Sequence, residues 1–238
     1  MSRFRNPLFL ALDSGDLESA LSLARKVAPH VGGYKIGLEM FCTAGPAGIE
    51  PIAEIGLPIF IDLKFHDIPN TVAGAVRSVM RLKPAILTVH CSGGLEMLRA
   101  AAETVANEAE RQDMDAPWLV GVTVLTSLDA GDLDALGIEG STHKVVARLA
   151  RLAEKAGLDG IVCAPHEIST ARSTIGSDLK LIVPGIRPKG SDTGDQKRVM
   201  TPREAVSLGA DILVIGRPIS RADDPVMAVN AILGSLGE

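Results

Sequence analysis

Acid, base and acid stand close together at Asp62, Lys64 and Asp67, directly after the apolar run Pro58-Ile59-Phe60-Ile61. Side chains two apart on a strand share a face, so the spacing predicts that Asp62 and Lys64 point the same way. Opposite charges within about 4–6 Å favour the charged form of a group, so two crowding carboxylates would hold Lys64 as an ammonium ion. An ammonium ion is a proton donor, whereas an amine nucleophile must be neutral. Lys35 lies inside a short apolar run, and lysine is rarely buried unpaired, so it is expected to join the same cluster through Asp62. A lone carboxylate aimed at a substrate carboxylate, with an ammonium beside it, suits decarboxylation. The acid repels the ground-state carboxylate, and the ammonium stabilises and then protonates the carbanion.

Two further segments carry anion-binding chemistry. The first begins Pro184-Gly185-Ile186-Arg187 and runs through Gly190, Gly194, Gln196 and Arg198; the second is Gly216-Arg217-Pro218-Ile219. Glycine lets the backbone approach an anion, and arginine supplies a fork of donors. Phosphate contacted by Arg217, the Gly216 amide and Gln196 is the functional reading; ordinary turns with solvated arginines are the bland one. Residues 187–201 are long for a loop between strand and helix and rich in Gly, Ser, Asp and Lys, which suits a lid.

These residues need a frame that gathers them. Strand patterns fall at 8–13, 34–37, 59–64, 86–90, 118–127, 160–165, 179–186 and 211–216. Helical patterns fall at 16–29, 45–55, 69–82, 95–111, 142–157, 168–175, 202–208 and 225–236, with a turn-rich insert at 129–140. Several strands are near-continuous apolar runs, as in parallel strands covered on both faces. Eight such units in 238 residues predict a (β/α)₈ barrel in a single domain, 1–238, with an open doubly wound sheet as the rival. Barrel active sites lie at the C-terminal strand ends. Asp13, Lys35, Asp62, Lys64, His90, Thr126, Ser127, Arg187 and Gly216-Arg217 all sit within or just after the predicted strands.

Composition narrows the function classes. A net charge of −5 and 3% aromatic residues argue against a basic, base-stacking nucleic-acid surface. Cys42, Cys91 and Cys163 are odd in number and form no CxxC pair, so a disulfide framework or zinc ribbon is not expected. The apolar run at 7–12 is short for a signal segment and stops at Asp13, and no run approaches the roughly 18 residues of a membrane span. A cytoplasmic protein with no membrane partner is expected. No GxGxxG follows a strand and no P-loop is present, so no organic cofactor is implied. His66 and His90 with Asp62 and Asp67 could ligate a metal, but His-x-His and HExxH spacings are lacking and the lysines compete electrostatically.

From Asp13 to Arg217 the chain closely resembles the orotidine 5′-phosphate decarboxylase family of the bacterial type. The most specific element is Asp62-x-Lys64-x-x-Asp67-Ile68-x-x-Thr71, supported by LTS at 125–127, PGIRPKGSDTGDQ at 184–196 and IGRPI at 215–219. The resemblance implies conversion of orotidine 5′-monophosphate to UMP without cofactor or metal. It implies that Lys64 protonates C6, that Asp62 sits by the departing carboxylate with Lys35 paired to it, and that Asp13 and Lys35 contact the ribose. Thr126 and Ser127 would lie by the pyrimidine, and Arg187, Gln196, Gly216 and Arg217 would hold the phosphate. Asp67 and Thr71 would reach into the neighbouring subunit's site, making a homodimer with shared active sites. The rivals are a Mg²⁺-dependent sugar-phosphate decarboxylase or synthase on the same barrel, a Schiff-base aldolase, and a catalytically silent barrel that binds nucleotide phosphate.

Overall fold

Eight parallel strands pair in chain order, and the last closes onto the first, so the expected (β/α)₈ barrel is the fold. The computed structural model describes residues 3–188 and 200–237. The strands are β1 (Leu8–Leu12), β2 (Gly33–Gly37), β3 (Ile59–Phe65), β4 (Ile86–His90), β5 (Trp118–Val122), β6 (Gly160–Val162), β7 (Lys180–Val183) and β8 (Ile212–Ile215). Between and after them run α1 (Leu17–Val27), α2 (Leu38–Ala53), α3 (Pro69–Met80), α4 (Leu95–Arg111), α5 (Ala130–Ala135), α6 (Thr142–Lys155), α7 (Ile168–Ile175), α8 (Pro202–Ser207), α9 (Arg217–Ser220) and α10 (Pro225–Gly234).

Strand alternation sorts the apolar residues into two packed layers. Phe9, Phe60, Val120, Val122, Val162, Ile182, Ile212 and Val214 fill the barrel interior, while Leu8, Leu10, Ile61, Leu87, Leu119, Leu181 and Leu213 pack outward under the helices. At the N-terminal end of the barrel, Phe4 lies edge-on to Phe9 and Trp118, with ring centroids 5.1 and 4.9 Å away. Arg3 ties this floor down by donating to the Ala116 carbonyl. Short polar side chains start several helices by accepting from free backbone amides: Asp16 for α1, Ser141 for α6, Thr201 for α8 and Asp224 for α10.

Strands β1, β5, β6, β7 and β8 are shorter than the ranges expected for them, β4 matches, and β2 and β3 are each one residue longer. Strand β5 stops at Val122, not at 127; Thr123 completes the last ladder bond to the Val162 carbonyl and adds its hydroxyl to the same oxygen. Beyond it the chain bends over the mouth of the barrel. Helix α2 starts at Leu38, well before the expected residue 45, and Gly45 forms a kink inside it with φ 63°. The short helix α9 was not expected, because the four residues Arg217–Ser220 are too few to show a period.

The largest irregularity lies in β3. Its pairing with β4 runs Phe60 to Ile86 and Ile61 to Leu87, then resumes only at Phe65 with Val89. The extra residues bulge out at Asp62, Leu63 and Lys64, and Lys64 takes a left-handed backbone with φ 52°. Left-handed non-glycine residues cost energy and collect where surrounding structure holds them for a purpose.

Candidate active site

Four charged side chains form one alternating row across the C-terminal mouth. Lys35 Nζ lies 2.9 Å from Asp13 Oδ1 and 3.6 Å from Asp62 Oδ2, and Lys64 Nζ lies 2.9 Å from Asp62 Oδ1. Lys35 and Asp62 are 8% and 7% exposed, so water screens their pairing little and neither charge is left uncompensated. Lys64 is partly exposed and Asp13 more so, which leaves the two ends of the row open to a ligand.

Simple strand alternation does not account for the meeting of Asp62 and Lys64. The bulge and the left-handed Lys64 bring the ammonium back onto the Asp62 carboxylate. Thr88, which is fully buried on β4, accepts a hydrogen bond from the Lys64 amide at 2.8 Å and donates to Asp62 Oδ1 at 3.2 Å. Sequence reasoning missed Thr88, since threonine in a strand is ordinary.

Asp67 does not crowd Lys64 within this chain. Its carboxylate accepts from the Ile68 amide, and both Asp67 and Thr71 are exposed at the start of α3. The expectation of two carboxylates around one lysine is therefore met by Asp62 alone here, because the chain turns outward after the bulge. Ile68, between them, is 67% exposed.

The row borders two adjoining cavities. One, of about 240 Å³, is lined by Asp62, Lys64 and Thr126 with an apolar wall of Phe60, Val122, Val162, Ile182 and Val214. The other, of about 390 Å³, is lined by Arg187, Gly216 and Arg217, joined by Ser220 and Arg221 from α9 and its end. Asp13, Lys35, Pro184 and Val214 line both, so a ligand with an apolar ring at one end and an anion at the other would bridge them. The Arg187 side chain is buried and donates to the Ile186 carbonyl, and its amide bonds to Met200. Ser127 sits exposed in the turn, outside the lining of the ring cavity. Gln196, the other phosphate candidate, and the expected lid lie outside the described residues.

Gly37, at the end of β2, is a second residue that sequence reasoning passed over. A Cβ there would lie 2.8 Å from Lys35 Nζ and 2.9 Å from Asp13 Oδ1, so only a bare backbone leaves room for that ion pair.

The His66 and His90 rings lie beside the row with centroids 5.3 Å apart, tilted by 38°. Burial, then the His66 ring and the Lys64 ammonium, push the His90 imidazole below its ordinary value, opposed by the Asp62 carboxylate. Among the described residues, no three or more His, Cys, Asp or Glu side chains gather as a metal-ligand group. Cys163 packs into the wall of the ring cavity, and Cys91 is buried beneath the sheet. No helix among the described residues is long and apolar enough to cross a membrane.

Known proteins match the chain along nearly its whole length. A profile of the orotidine 5′-phosphate decarboxylase / HUMPS family matches residues 6–232. Orotidine 5′-phosphate decarboxylase of Paramagnetospirillum magneticum is 49% identical over 232 residues, covering 98% of this chain and 99% of the relative. That of Novosphingobium aromaticivorans is 50% identical over 231 residues, covering 97% and 99%. The crystal structure of orotidine 5′-phosphate decarboxylase from Lactobacillus acidophilus superposes with a TM-score of 0.86 at 33% identity, covering 98% of this chain and all of that one. The chain belongs to the orotidine 5′-phosphate decarboxylase / HUMPS family.

Proposed function

We propose that the row Asp13–Lys35–Asp62–Lys64 carries out the decarboxylation of orotidine 5′-monophosphate to UMP, with Lys64 as the proton donor. The reaction itself follows from family membership and from the full-length relatives, and it places the enzyme in pyrimidine biosynthesis. The observation that carries the residue roles is the buried Asp62 carboxylate held between two ammonium groups, above an apolar cavity of ring size.

The chemistry runs as follows. The pyrimidine occupies the apolar cavity beside Thr126, with its carboxylate directed at Asp62 and C6 near Lys64. The bond from C6 to the carboxylate breaks, CO₂ leaves, and the electron pair stays on C6. The Lys64 ammonium lies beside Asp62, so it stabilises that charge as it forms and then gives C6 a proton; the amine regains one from water. Lys35 pairs with Asp62 and, with Asp13, faces the ribose. Arg217, the Gly216 amide and Arg187 take the phosphate, far from the breaking bond, and Gln196 joins them. That grip aids catalysis only as binding energy drawn from a remote group. No step in this scheme passes through a metal or an organic cofactor.

The active unit of this reading is a cytoplasmic homodimer. Asp67 and Thr71 stand exposed beside Ile68 and away from their own cavity, and each fits a role in the partner's site. Mixing Lys64→Ala with Asp67→Ala subunits is then expected to restore turnover that neither variant has alone. No rescue would count against sharing.

Loss of orotidine 5′-monophosphate absorbance, followed with and without EDTA, tests the reaction. Equal rates are expected, and abolition by EDTA would overturn the metal-free reading. Lys64→Ala should lose product formation while still binding UMP; appreciable turnover by that variant would remove Lys64 from its role.

A further inference from the structure

We infer that Thr88 is a positioning residue for the reaction: one buried hydroxyl sets both the Asp62 carboxylate and the Lys64 backbone that aims the proton-donating ammonium. The inference rests on the residue roles proposed above. Thr88 lies on β4, is fully buried, and does not line either cavity, so it has no contact with substrate. Its Oγ1 accepts from the Lys64 amide at 2.8 Å and donates to Asp62 Oδ1 at 3.2 Å. Asp62 Oδ1 is also the oxygen 2.9 Å from Lys64 Nζ. The result is a closed ring: Lys64 amide to hydroxyl, hydroxyl to carboxylate, carboxylate to the ammonium of the same lysine.

The ring sits where the pairing of β3 with β4 is interrupted, although β2 still pairs with β3 as far as Asp62. The ladder between β3 and β4 lapses between Ile61 and Phe65, so the Lys64 amide has no strand carbonyl opposite it. A hydroxyl from the neighbouring strand stands in for that carbonyl and holds a lysine at φ 52°. A hydroxyl is the smallest group that can both accept and donate, and both abilities are used here. Among the described residues Thr88 is the one uncharged donor to Asp62; the other partners are the two lysines. Removing the hydroxyl leaves the Lys64 amide without its acceptor and Asp62 Oδ1 with the Lys64 ammonium alone, and the strained backbone is free to relax.

The test is Thr88→Val, which keeps the shape and removes the hydroxyl, beside Thr88→Ser, which keeps the hydroxyl. The valine variant is expected to lose about 10- to 100-fold in kcat, since small misplacements of catalytic groups cost this much, while its UMP dissociation constant moves by less than about threefold. The serine variant should recover most of the rate. If the valine variant does not fold, Thr88→Ala against Thr88→Ser makes the same comparison, because the pair differs only in the hydroxyl. A valine or alanine variant with near-normal kcat, or a serine variant as slow as either, would overturn the inference. So would loss of UMP affinity in step with rate. Lys64→Ala run in parallel separates the two levels: if it stays active the whole site reading fails, and if it alone is inactive only the role of Thr88 fails.

Discussion

Replacing Gly37 by alanine places a methyl group into the gap between Lys35 and Asp13, and its effect can be worked out from the distances. The new Cβ would lie 2.8 Å from Lys35 Nζ and 2.9 Å from Asp13 Oδ1. Both are well inside the roughly 3.5 Å of a normal contact, so the two groups must part. Gly37 has φ −90°, which alanine adopts without strain, and the atoms in the way are the free ends of flexible side chains. The fold should therefore accept the change, with the melting temperature moving by no more than about 3 °C. The site should not. Opening the pair from 2.9 Å to roughly 4.5 Å loses about 2 kcal/mol of attraction at an effective dielectric of about 20. Asp13 is 52% exposed on its side chain, and solvent screening reduces the loss to about 1–2 kcal/mol. The Lys35 displaced in this way also supports Asp62. A fall in kcat/KM of roughly 5- to 30-fold is expected in the absorbance assay. A folded variant within about twofold of the parent would refute the view that the row must be intact for turnover.

Two further outcomes follow from buried groups outside the row. The Tyr34 hydroxyl donates to the Ala24 carbonyl at 2.7 Å, and burial, opposed by the nearby Arg5 charge, pushes it up to about 12. The unfolded chain then loses this proton near pH 10 while the folded one keeps it, so wild-type stability should fall as pH rises from 10 to 12. Tyr34→Phe should lose about 1 kcal/mol at neutral pH and, in urea titrations, lack roughly 2–3 kcal/mol of the alkaline decline; parallel pH curves would contradict this. Cys91 is buried with its thiol pushed up to about 12, and Cys163 is buried too, whereas Cys42 is exposed. An aromatic disulfide reagent should therefore label Cys42 quickly and the other two only after unfolding. Fast labelling of a second thiol in the native enzyme would contradict the packing.

The legible part of this protein is the part where residue type conflicts with its surroundings. A lysine in an apolar run and an aspartate closing another announce that charge is being held in a buried place, and Lys35, Asp62 and Lys64 do meet. The repeating apolar runs made the barrel equally readable. What stayed hidden has no such conflict. Thr88 is a strand former in a strand, and Gly37 matters for an atom it lacks. The bulge at Lys64 is not visible because lysine carries no preference for a left-handed backbone; the neighbouring strand imposes it. Where Asp67 points depends on the turn after the bulge, and spacing along the chain could not reveal that.

The aromatic floor has a consequence for traffic. Phe4, Phe9 and Trp118 close one end of the barrel, and a tier of branched side chains above them fills it up to the ring cavity. Among the described residues, that end of the barrel is shut and the ring cavity lies towards the other. On the mechanism proposed above, CO₂ formed in the ring cavity has no way out through that floor and leaves by the C-terminal mouth. That reading makes both products share the mouth that admits the substrate.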